Sequence, residues 1–339
     1  MHFGLDIGNY SIKIIQAQPK GEFFTLQRWG EAATPVPMNS LDKKNIVFLA
    51  EAVKKLASEV KISVPNVVLS LSESSVYTQV IQLPLMSETE LASAIEYEAE
   101  QYIPLPLEKV QLEYFVLNSQ PKGLGNDKID VLLIGAQKKA IDDLLEVIDL
   151  AGFTPKAMET EILAAVRCLA IYPDVSLLVN IGKDSTELAI VKGTDLVFVY
   201  SLGMGGEALT RAAAQNLSLP MRQAEEYKNN YGLDPSVLEG KVAKSMISVF
   251  DQITAKIQKT INFYSEKNGN SEAVSRIVLT GGVARMPGIS AYLTNKTGLE
   301  TAPGNPFARF IDNNKFPPEL LLAASRFSVA AGLAIRQEK

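Results

Sequence analysis

Two six-residue segments of the sequence have residue types that suit the binding of a phosphate chain. Residues 6–11 read DIGNYS and residues 180–185 read NIGKDS, at a constant offset of 174 positions. Each segment follows a short apolar run and precedes a strand-like run, so each predicts a β-hairpin turn. Such a turn gathers backbone N–H groups into an anion site, and Gly8 and Gly182 let a phosphate approach closely. The repeat predicts two similar lobes that hold one polyphosphate between them.

Side chains in and beside the two turns extend this prediction. Ser11 and Ser185 offer hydroxyl donors, and Lys13 or Lys183 can supply a positive charge. Asp6 ends the first strand, where a carboxylate could hold a hydrated Mg²⁺ ion. The alternative is a pair of unrelated hairpins, because turns that contain glycine are common.

A third motif is an apolar strand that ends in two glycines. Residues 277–280 form the strand, and Gly281 and Gly282 follow it before a predicted helix that starts near Gly288. A glycine pair permits the backbone to approach a flat ligand such as a purine ring. An ordinary strand-to-helix turn is the alternative. No Walker motif occurs in the sequence, so the logic of P-loop nucleotide hydrolases does not apply.

The pattern of hydrophobic residues places these motifs between alternating strands and helices. A glycine-rich loop is expected at residues 122–127. The predicted strands are residues 3–7, 11–18, 22–28, 66–71, 76–83, 110–117, 129–136, 175–181, 186–192, 196–201 and 277–280. The predicted helices are residues 41–61, 87–101, 138–150, 161–170, 207–216, 221–231, 242–267, 289–297 and 318–336.

Composition narrows the classes of function. The 339 residues include one cysteine and one histidine, which excludes a disulfide framework, a cysteine zinc site and a histidine-rich metal centre. A net charge of −5 argues against binding of nucleic acid through bulk electrostatics. No run reaches the roughly 18 apolar residues of a membrane span, and the N-terminus lacks the basic region of a signal peptide. We therefore expect a soluble, cytoplasmic α/β protein.

Five segments carry a resemblance to a known family. Together they resemble the actin-like ATPase superfamily, and most of all the PilM family of type IV pilus assembly proteins, which are relatives of the cell-division protein FtsA. The resemblance spans nearly the whole chain. The segments are residues 4–8 with Ser11 and Lys13, residues 88–106, residues 203–207 with Thr210, residues 224–228, and residues 279–282.

The resemblance implies a fold and a division of the chain. The fold is the α/β actin-like ATPase fold, a duplicated ribonuclease H-like unit in two lobes, with an FtsA-like subdomain inserted in the first lobe. Residues 1–75 and 159–180 would form the first lobe, residues 76–158 the inserted partner-binding subdomain, and residues 181–339 the second lobe.

The resemblance also implies the cofactors ATP and Mg²⁺ and a set of site residues. Asp6 and Asn180 would hold Mg²⁺ through water, and Glu161 would lie near the attacking water. The implied nucleotide-binding residues are Asp6, Gly8, Asn9, Tyr10, Ser11, Lys13, Gly182, Lys183, Asp184, Ser185, Gly205, Gly206, Glu225, Lys228, Gly281, Gly282, Val283 and Met286.

Other interpretations of some of these residues stay open. Members of the superfamily usually carry Asp where this chain has Asn180, so we expect nucleotide binding with slow hydrolysis at most. Glu161 could be no more than a carboxylate favoured by a helix N-terminus. Glu225 and Lys228 could form a solvated ion pair three residues apart on a helix.

The implied partner is the N-terminal cytoplasmic peptide of a PilN-like bitopic membrane protein. Other components of the pilus machine are further implied partners, self-association is left open, and nucleic acid is not expected. The protein would lie in the cytoplasm, peripheral to the inner membrane through these partners. The alternative functions are an FtsA-like membrane-associated division protein and a small-molecule kinase of the same fold.

Overall fold

The computed structural model describes residues 1–38, 41–118, 128–268, 272–312 and 315–337. Within these ranges the chain forms three β-sheets flanked by helices. The glycine-rich loop predicted at residues 122–127 lies outside the described residues.

The first sheet contains five strands in the order β3-β2-β1-β4-β8. The first three strands pair antiparallel and the last two are added parallel. The central strand is buried along its whole length, as its run of apolar residues predicts. The strands are β1 (Phe3–Ile7), β2 (Ser11–Lys20), β3 (Phe23–Ala33), β4 (Asn66–Leu71) and β8 (Thr154–Thr160).

The second sheet repeats the arrangement of the first. Its strands are β9 (Val175–Ile181), β10 (Thr186–Lys192), β11 (Asp195–Leu202), β12 (Arg276–Thr280) and β13 (Glu300–Pro303), in the order β11-β10-β9-β12-β13. Again three antiparallel strands are followed by two parallel ones. The duplication inferred from the sequence is therefore present as two sheets of the same topology.

The third sheet is antiparallel and belongs to the predicted insert. It contains β5 (Val76–Pro84), β6 (Val110–Asn118) and β7 (Lys128–Gln137), in the order β5-β7-β6. Helix α2 (Glu88–Tyr102) packs on one face of this sheet through Leu91, Ile95 and Ala99. The helix begins with the predicted capping box. The Ser87 hydroxyl accepts from the Glu90 N–H, and the Glu90 carboxylate accepts from the Ser87 N–H.

The remaining helices cover the first two sheets. The longest, α7, places Met246, Phe250, Ile253 and Ile257 in the core of the second lobe at helical spacing. These helices are α1 (Lys43–Glu59), α3 (Lys138–Ala151), α4 (Glu161–Leu169), α5 (Gly206–Leu217), α6 (Met221–Tyr231), α7 (Lys241–Asn268), α8 (Ile289–Thr297), α9 (Pro318–Ala323) and α10 (Ser328–Ala334).

The C-terminal segment differs from the single helix predicted at residues 318–336. Helices α9 and α10 are separated by a 3₁₀ turn at Ala324–Phe327. In a continuous α-helix the Ser325 carbonyl would accept from the N–H four residues later. Here it accepts from the Gly281 N–H at 3.1 Å and from the Thr280 and Ser328 hydroxyls, each at 3.0 Å. The end of β12 therefore binds the chain at the break between the two helices.

Sheet membership also differs from the predicted lobe boundaries. The resemblance predicts residues 159–180 in the first lobe, but β9 (Val175–Ile181) lies at the centre of the second sheet. Residues 154–158, assigned to the insert, begin β8 in the first sheet. Helix α10 packs on β1 so closely that a Cβ on Gly4 would overlap the Ala330 carbonyl. The C-terminal segment therefore packs against the first lobe.

Candidate functional site

One cavity gathers nearly all the residues predicted from the sequence. It has a volume of about 780 Å³. Gly205 is the exception, and it packs against the backbone of the second hairpin turn. The predicted residues that line the cavity are Asp6, Gly8, Asn9, Tyr10, Ser11, Lys13, Glu161, Asn180, Gly182, Lys183, Asp184, Ser185, Gly206, Glu225, Lys228, Gly281, Gly282, Val283 and Met286.

The two hairpin turns are closed by the same backbone hydrogen bond. The Gly8 N–H donates to the Ser11 carbonyl at 3.1 Å, and the Gly182 N–H donates to the Ser185 carbonyl at 3.0 Å. Together with the matching sheets, this equivalence favours a duplication over two unrelated hairpins.

Asp6 is buried and already has two partners. Its carboxylate pairs with the Lys13 ammonium at 3.1 Å and accepts from the Ser70 hydroxyl at 3.2 Å. Asp6 and Lys13 face each other across the hairpin formed by β1 and β2. Lys13 therefore neutralises Asp6 within the protein, and direct coordination of a metal by Asp6 would disturb a buried ion pair.

Asn180 occupies the equivalent position in the second hairpin and faces Glu187. Its side-chain amide donates to one Glu187 carboxyl oxygen at 2.7 Å, while the other carboxyl oxygen is buried without a hydrogen-bond partner. Position 187 lies 174 residues after Lys13, so the repeat offset itself could have identified Glu187 as a site residue. The sequence analysis missed it.

The Ser11 hydroxyl does not present a free donor to the cavity as the sequence predicts. It donates to the Glu31 carboxylate at 2.7 Å. A hydroxyl has one proton to donate, so Ser11 positions Glu31. Ser185 lines the cavity beside the second turn.

Helix α5 begins against the second hairpin turn. The Gly206 and Glu207 N–H groups donate to the Gly182 and Lys183 carbonyls at 2.9 and 2.8 Å. A Cβ on Gly205 would lie 2.6 Å from the Lys183 carbonyl oxygen, so glycine is required for this approach. The positive end of the α5 dipole thereby lies beside the cavity, which favours an anionic ligand.

Lys228 is buried, which contradicts the solvated ion pair considered above. Its ammonium donates to the Gly206 carbonyl at 3.2 Å, the Thr210 hydroxyl at 2.9 Å and the Glu225 carboxylate at 2.6 Å. All three ammonium protons are used, so Lys228 positions α5 and Glu225. Partial burial opposes ionisation of Glu225, but hydrogen bonds from Lys228 and Thr210 outweigh it and lower the pKa of this carboxyl.

The two glycines after β12 line the cavity next to the second hairpin. Gly281 has a φ of +86°, and a Cβ there would lie 2.6 Å from the Asn180 side-chain oxygen. At Gly282 a Cβ would meet nothing within 4 Å, so this residue borders open space in the cavity. Val283 and Met286 are buried and add apolar surface beside it.

Acidic side chains from three elements approach one another near the base of the cavity. They are Glu161 at the start of α4, Glu187 on β10, and Glu73 in the turn before β5. Burial, followed by the charge of Glu161, raises the pKa of Glu73 to about 8. Burial, followed by the charge of Glu73, raises the pKa of Glu187 to about 8. Burial, with the charges of Asp6 and Glu187, raises the pKa of Glu161 well above its usual range.

Several further residues line the cavity that the sequence analysis did not identify. Glu207, Thr210 and Thr280 lie in segments that carry the family resemblance. The others come from loops and helix ends that are distant in sequence, and no local motif marks them. The additional lining residues are Ser72, Ser74, Glu207, Thr210, Met221, Arg222, Asn229, Thr280, Arg285, Glu319, Leu322, Ala323, Ser325, Arg326 and Val329.

Within the described ranges, no group of three acidic, cysteine or histidine side chains is arranged to hold a metal ion. No helix in the part of the chain that the structure describes is long and apolar enough to span a membrane.

Solved structures share this fold over almost the whole chain. A PilM–PilN type IV pilus biogenesis complex contains a chain with 26% identity and a TM-score of 0.84, and the match covers 98% of this chain and 97% of that one. MreB5 of Spiroplasma citri bound to AMPPNP has 13% identity and a TM-score of 0.54, with 98% and 94% of the two chains covered. The predicted fold class is confirmed: this is a protein of the actin-like ATPase fold.

Sequence comparison identifies the family within this class. FtsA of Neisseria meningitidis serogroup B is 23% identical over 287 residues, which span 75% of this chain but only 66% of that protein. FtsA of Bacillus subtilis is 22% identical over 333 residues, 85% and 75% of the two chains. The model of the family described as type IV pilus assembly protein PilM matches residues 4–338. The chain belongs to the PilM family, as its sequence motifs predict.

Proposed function

We propose that this chain is a cytoplasmic ATP-binding component of type IV pilus assembly that binds the N-terminal peptide of a PilN-like bitopic membrane protein. The observation that carries the proposal is the similarity to a chain of the PilM–PilN complex, which extends over 98% of this chain at a TM-score of 0.84. Association with the inner membrane would follow from the partner. Contacts with other pilus components and with further copies of the chain belong to the same proposal.

The arrangement of the cavity supports nucleotide binding. Both hairpin turns, the start of α5 and the glycine pair after β12 line a single space of about 780 Å³. Ligand sites typically occupy about 300–1,000 Å³. We assign the phosphates to the turns at Gly8 and Gly182, and the adenosine to the side with Gly282, Val283 and Met286.

Magnesium fits this assignment only through water. Both Asp6 and Asn180 already hold buried partners, and Mg²⁺ commonly keeps several waters beside one or two protein ligands and the phosphates. Asp6 and Asn180 would thus orient the waters of a Mg²⁺ ion that the phosphates bind directly. The ion would supply charge neutralisation to the phosphate chain.

The third sheet offers an edge where a peptide could be added as a strand. In the order β5-β7-β6, strand β6 is at one edge, and Phe115 and Val116 on it are exposed to 53% and 41%. Backbone pairing along such an edge gives affinity, and exposed apolar side chains give specificity. We assign the PilN-like peptide to β6.

The nucleotide half of the proposal is tested by one substitution with a matched control. Gly282→Asp adds a carboxylate at the cavity, where a Cβ meets no atom within 4 Å. Gly203→Asp makes the same change at another open glycine that does not line the cavity. Calorimetry should show that Gly282→Asp weakens ATP binding at least tenfold, whereas Gly203→Asp leaves it unchanged. Equal affinity in the wild type and both variants would remove the nucleotide assignment.

The partner half is tested with a synthetic peptide from the cytoplasmic end of a co-encoded bitopic protein. We expect a Kd in the micromolar range, on the order of −8 kcal/mol. Phe115→Asp should weaken binding at least tenfold because it places a charge on the β6 edge. Tyr97→Asp, on exposed α2, is the matched control and should have no effect. Absence of binding, or loss only with Tyr97→Asp, would contradict the β6 assignment.

A further inference from the structure

Two side chains that the sequence predicts as phosphate contacts already have partners inside the protein. The Ser11 hydroxyl donates to the Glu31 carboxylate at 2.7 Å. The Lys13 ammonium pairs with buried Asp6 at 3.1 Å and donates to the Ser11 carbonyl at 3.4 Å. The first turn therefore has little uncompensated positive charge of its own, although the phosphates of a nucleotide are strongly negative.

Arg326 brings a positive charge to this side of the cavity from the C-terminal segment. It lies in the 3₁₀ turn between α9 and α10 and lines the cavity. Its guanidinium donates to one Glu31 carboxyl oxygen at 3.1 Å, and Ser11 donates to the other oxygen of the same group. One carboxylate thus links Arg326 to the first turn. The carbonyl of the preceding residue, Ser325, accepts from the Gly281 N–H at 3.1 Å, so the arginine also lies next to the glycine pair.

The bond to Glu31 leaves most of the donors of Arg326 unused. A guanidinium carries five N–H groups. Within the part of the chain that the structure describes, Nε is buried without a hydrogen-bond partner, and the side chain as a whole is 41% exposed. A small movement of this side chain toward the cavity would therefore break few contacts. Since the group stays charged at any ordinary pH and its planar fork matches phosphate oxygens, a phosphate is the ligand that it suits best.

Other cations that line the cavity have different partners. Lys228 donates all three of its protons to groups of the protein. Arg285 donates to a backbone carbonyl of α9 at 2.8 Å and follows the glycine pair, on the side that we assign to the adenosine. The side chain of Arg222 is 94% exposed and pairs with a glutamate of its own helix. Lys183 belongs to the second turn and pairs with a glutamate of α5. Arg326 differs from these four, because its partner carboxylate is also bonded to the first turn.

We propose that Arg326 binds the phosphate chain of the nucleotide and that Glu31 holds its guanidinium beside the first turn for this contact. The inference rests on the proposed nucleotide function and adds to it a residue outside the duplicated turns. A phosphate oxygen accepts from the free N–H groups of the guanidinium while the bond to Glu31 persists. Arg326 thereby supplies the positive charge that the pairing of Lys13 with Asp6 takes from the first turn.

Two substitutions separate phosphate binding from a merely structural ion pair, because Arg326→Gln and Glu31→Gln remove the same pair. Calorimetry should show that Arg326→Gln weakens the binding of ATP and of ADP about tenfold or more. Glu31→Gln should bind both at least as tightly as the wild type, since it removes a negative charge beside the phosphates and keeps an oxygen that accepts from Ser11. Arg28→Gln changes the net charge equally at an exposed site on β3 outside the cavity, and it should leave the affinity unchanged.

Adenosine provides a second readout because it lacks phosphates. Its affinity, measured by NMR titration, should be equal in the wild type and in Arg326→Gln. A loss of adenosine affinity as large as the loss of ATP affinity would overturn the inference in favour of a structural role. Similar losses of ATP affinity in Arg326→Gln and Glu31→Gln would overturn it in the same way.

The inference and the proposed function fail separately. Equal ATP affinity in the wild type and Arg326→Gln would overturn the inference and leave the proposed function standing, whereas a wild type that binds neither ATP nor ADP would refute both. If Arg326→Gln does not fold, Arg326→Lys takes its place. Lysine keeps the charge but lacks the planar fork, so ATP binding should weaken while adenosine binding does not. Unchanged ATP affinity in that variant would then overturn the inference.

Discussion

At the scale of single residues, the two hairpins differ most in one cross-strand pair. The first hairpin pairs Asp6 with Lys13, and the second pairs Asn180 with Glu187 at the equivalent positions. An aspartate at position 180 would face the Glu187 carboxyl inside the protein, where two like charges are strongly unfavourable. The amide of Asn180 instead donates to Glu187. Glu187 therefore explains why this chain departs from the usual superfamily residue at position 180.

This explanation predicts the behaviour of a single and a double variant. Asn180→Asp should lower the free energy of unfolding by on the order of 2 kcal/mol near pH 8, because it adds a buried charge beside Glu187. Adding Glu187→Lys should restore most of the loss, since the pair then copies Asp6 and Lys13. Urea unfolding of the wild type, both single variants and the double variant measures this coupling. If the two substitutions are simply additive, the pair does not account for Asn180.

Some site residues were within reach of sequence analysis and others were not. The glycines and polar residues of the turns repeat at a fixed offset, so their common location in one cavity follows from duplication. Glu73 belongs to no repeat and lies in a short polar turn, which usually predicts exposure. Its burial depends on the distant N-terminus of α4, and no local pattern reports such a contact.

At the scale of the elements, close packing of α10 against α4 fixes the position of Glu161. A Cβ on Gly332 would overlap the Ala164 carbonyl, so the two helices meet at a glycine. Arg167 of α4 also donates to the Gly332 carbonyl at 2.9 Å and pairs with Glu159 through both carboxyl oxygens. The helix that begins with Glu161 is thus held by the C-terminal segment.

Gly332→Ala should therefore be costly. We expect a loss of about 1–3 kcal/mol in the free energy of unfolding, because the added methyl group must push α10 away from α4. Gly203→Ala is the matched control at an open position and should change stability by less than about 0.5 kcal/mol. Thermal and urea unfolding compare the two variants. Similar stability in both would show that α10 does not pack against α4 as described.

Elements with strong local patterns were predicted well, and those shaped by distant contacts were not. The predicted bounds of α6 and α8 agree with the structure, since periodicity and flanking residues define them. The strands β8 and β13 were missed. Both are short and contain a proline, and they become strands only by pairing parallel to β4 and β12. The break between α9 and α10 likewise lies where the end of β12 binds the chain.

At the scale of the whole molecule, two sheets of equal topology present equivalent turns to one cavity. The sequence predicted this duplication because its repeat spans both lobes at one offset. It did not predict that the C-terminal helices pack on the first lobe. This packing depends on contacts between residues distant in sequence, such as the hydrogen bond from Arg167 to the Gly332 carbonyl. The division into two lobes and an insert stays a prediction. Its boundaries do not follow the sheets, since β8 belongs to the first sheet and β9 to the second.

If the two duplicated turns hold one nucleotide between them, a crystal structure of the protein with AMPPNP and Mg²⁺ will show it there. We predict the triphosphate between the turns at Gly8 and Gly182, with the base beside Gly282 and Met286. A nucleotide bound elsewhere, or a cavity without nucleotide at saturating concentration, would contradict the account.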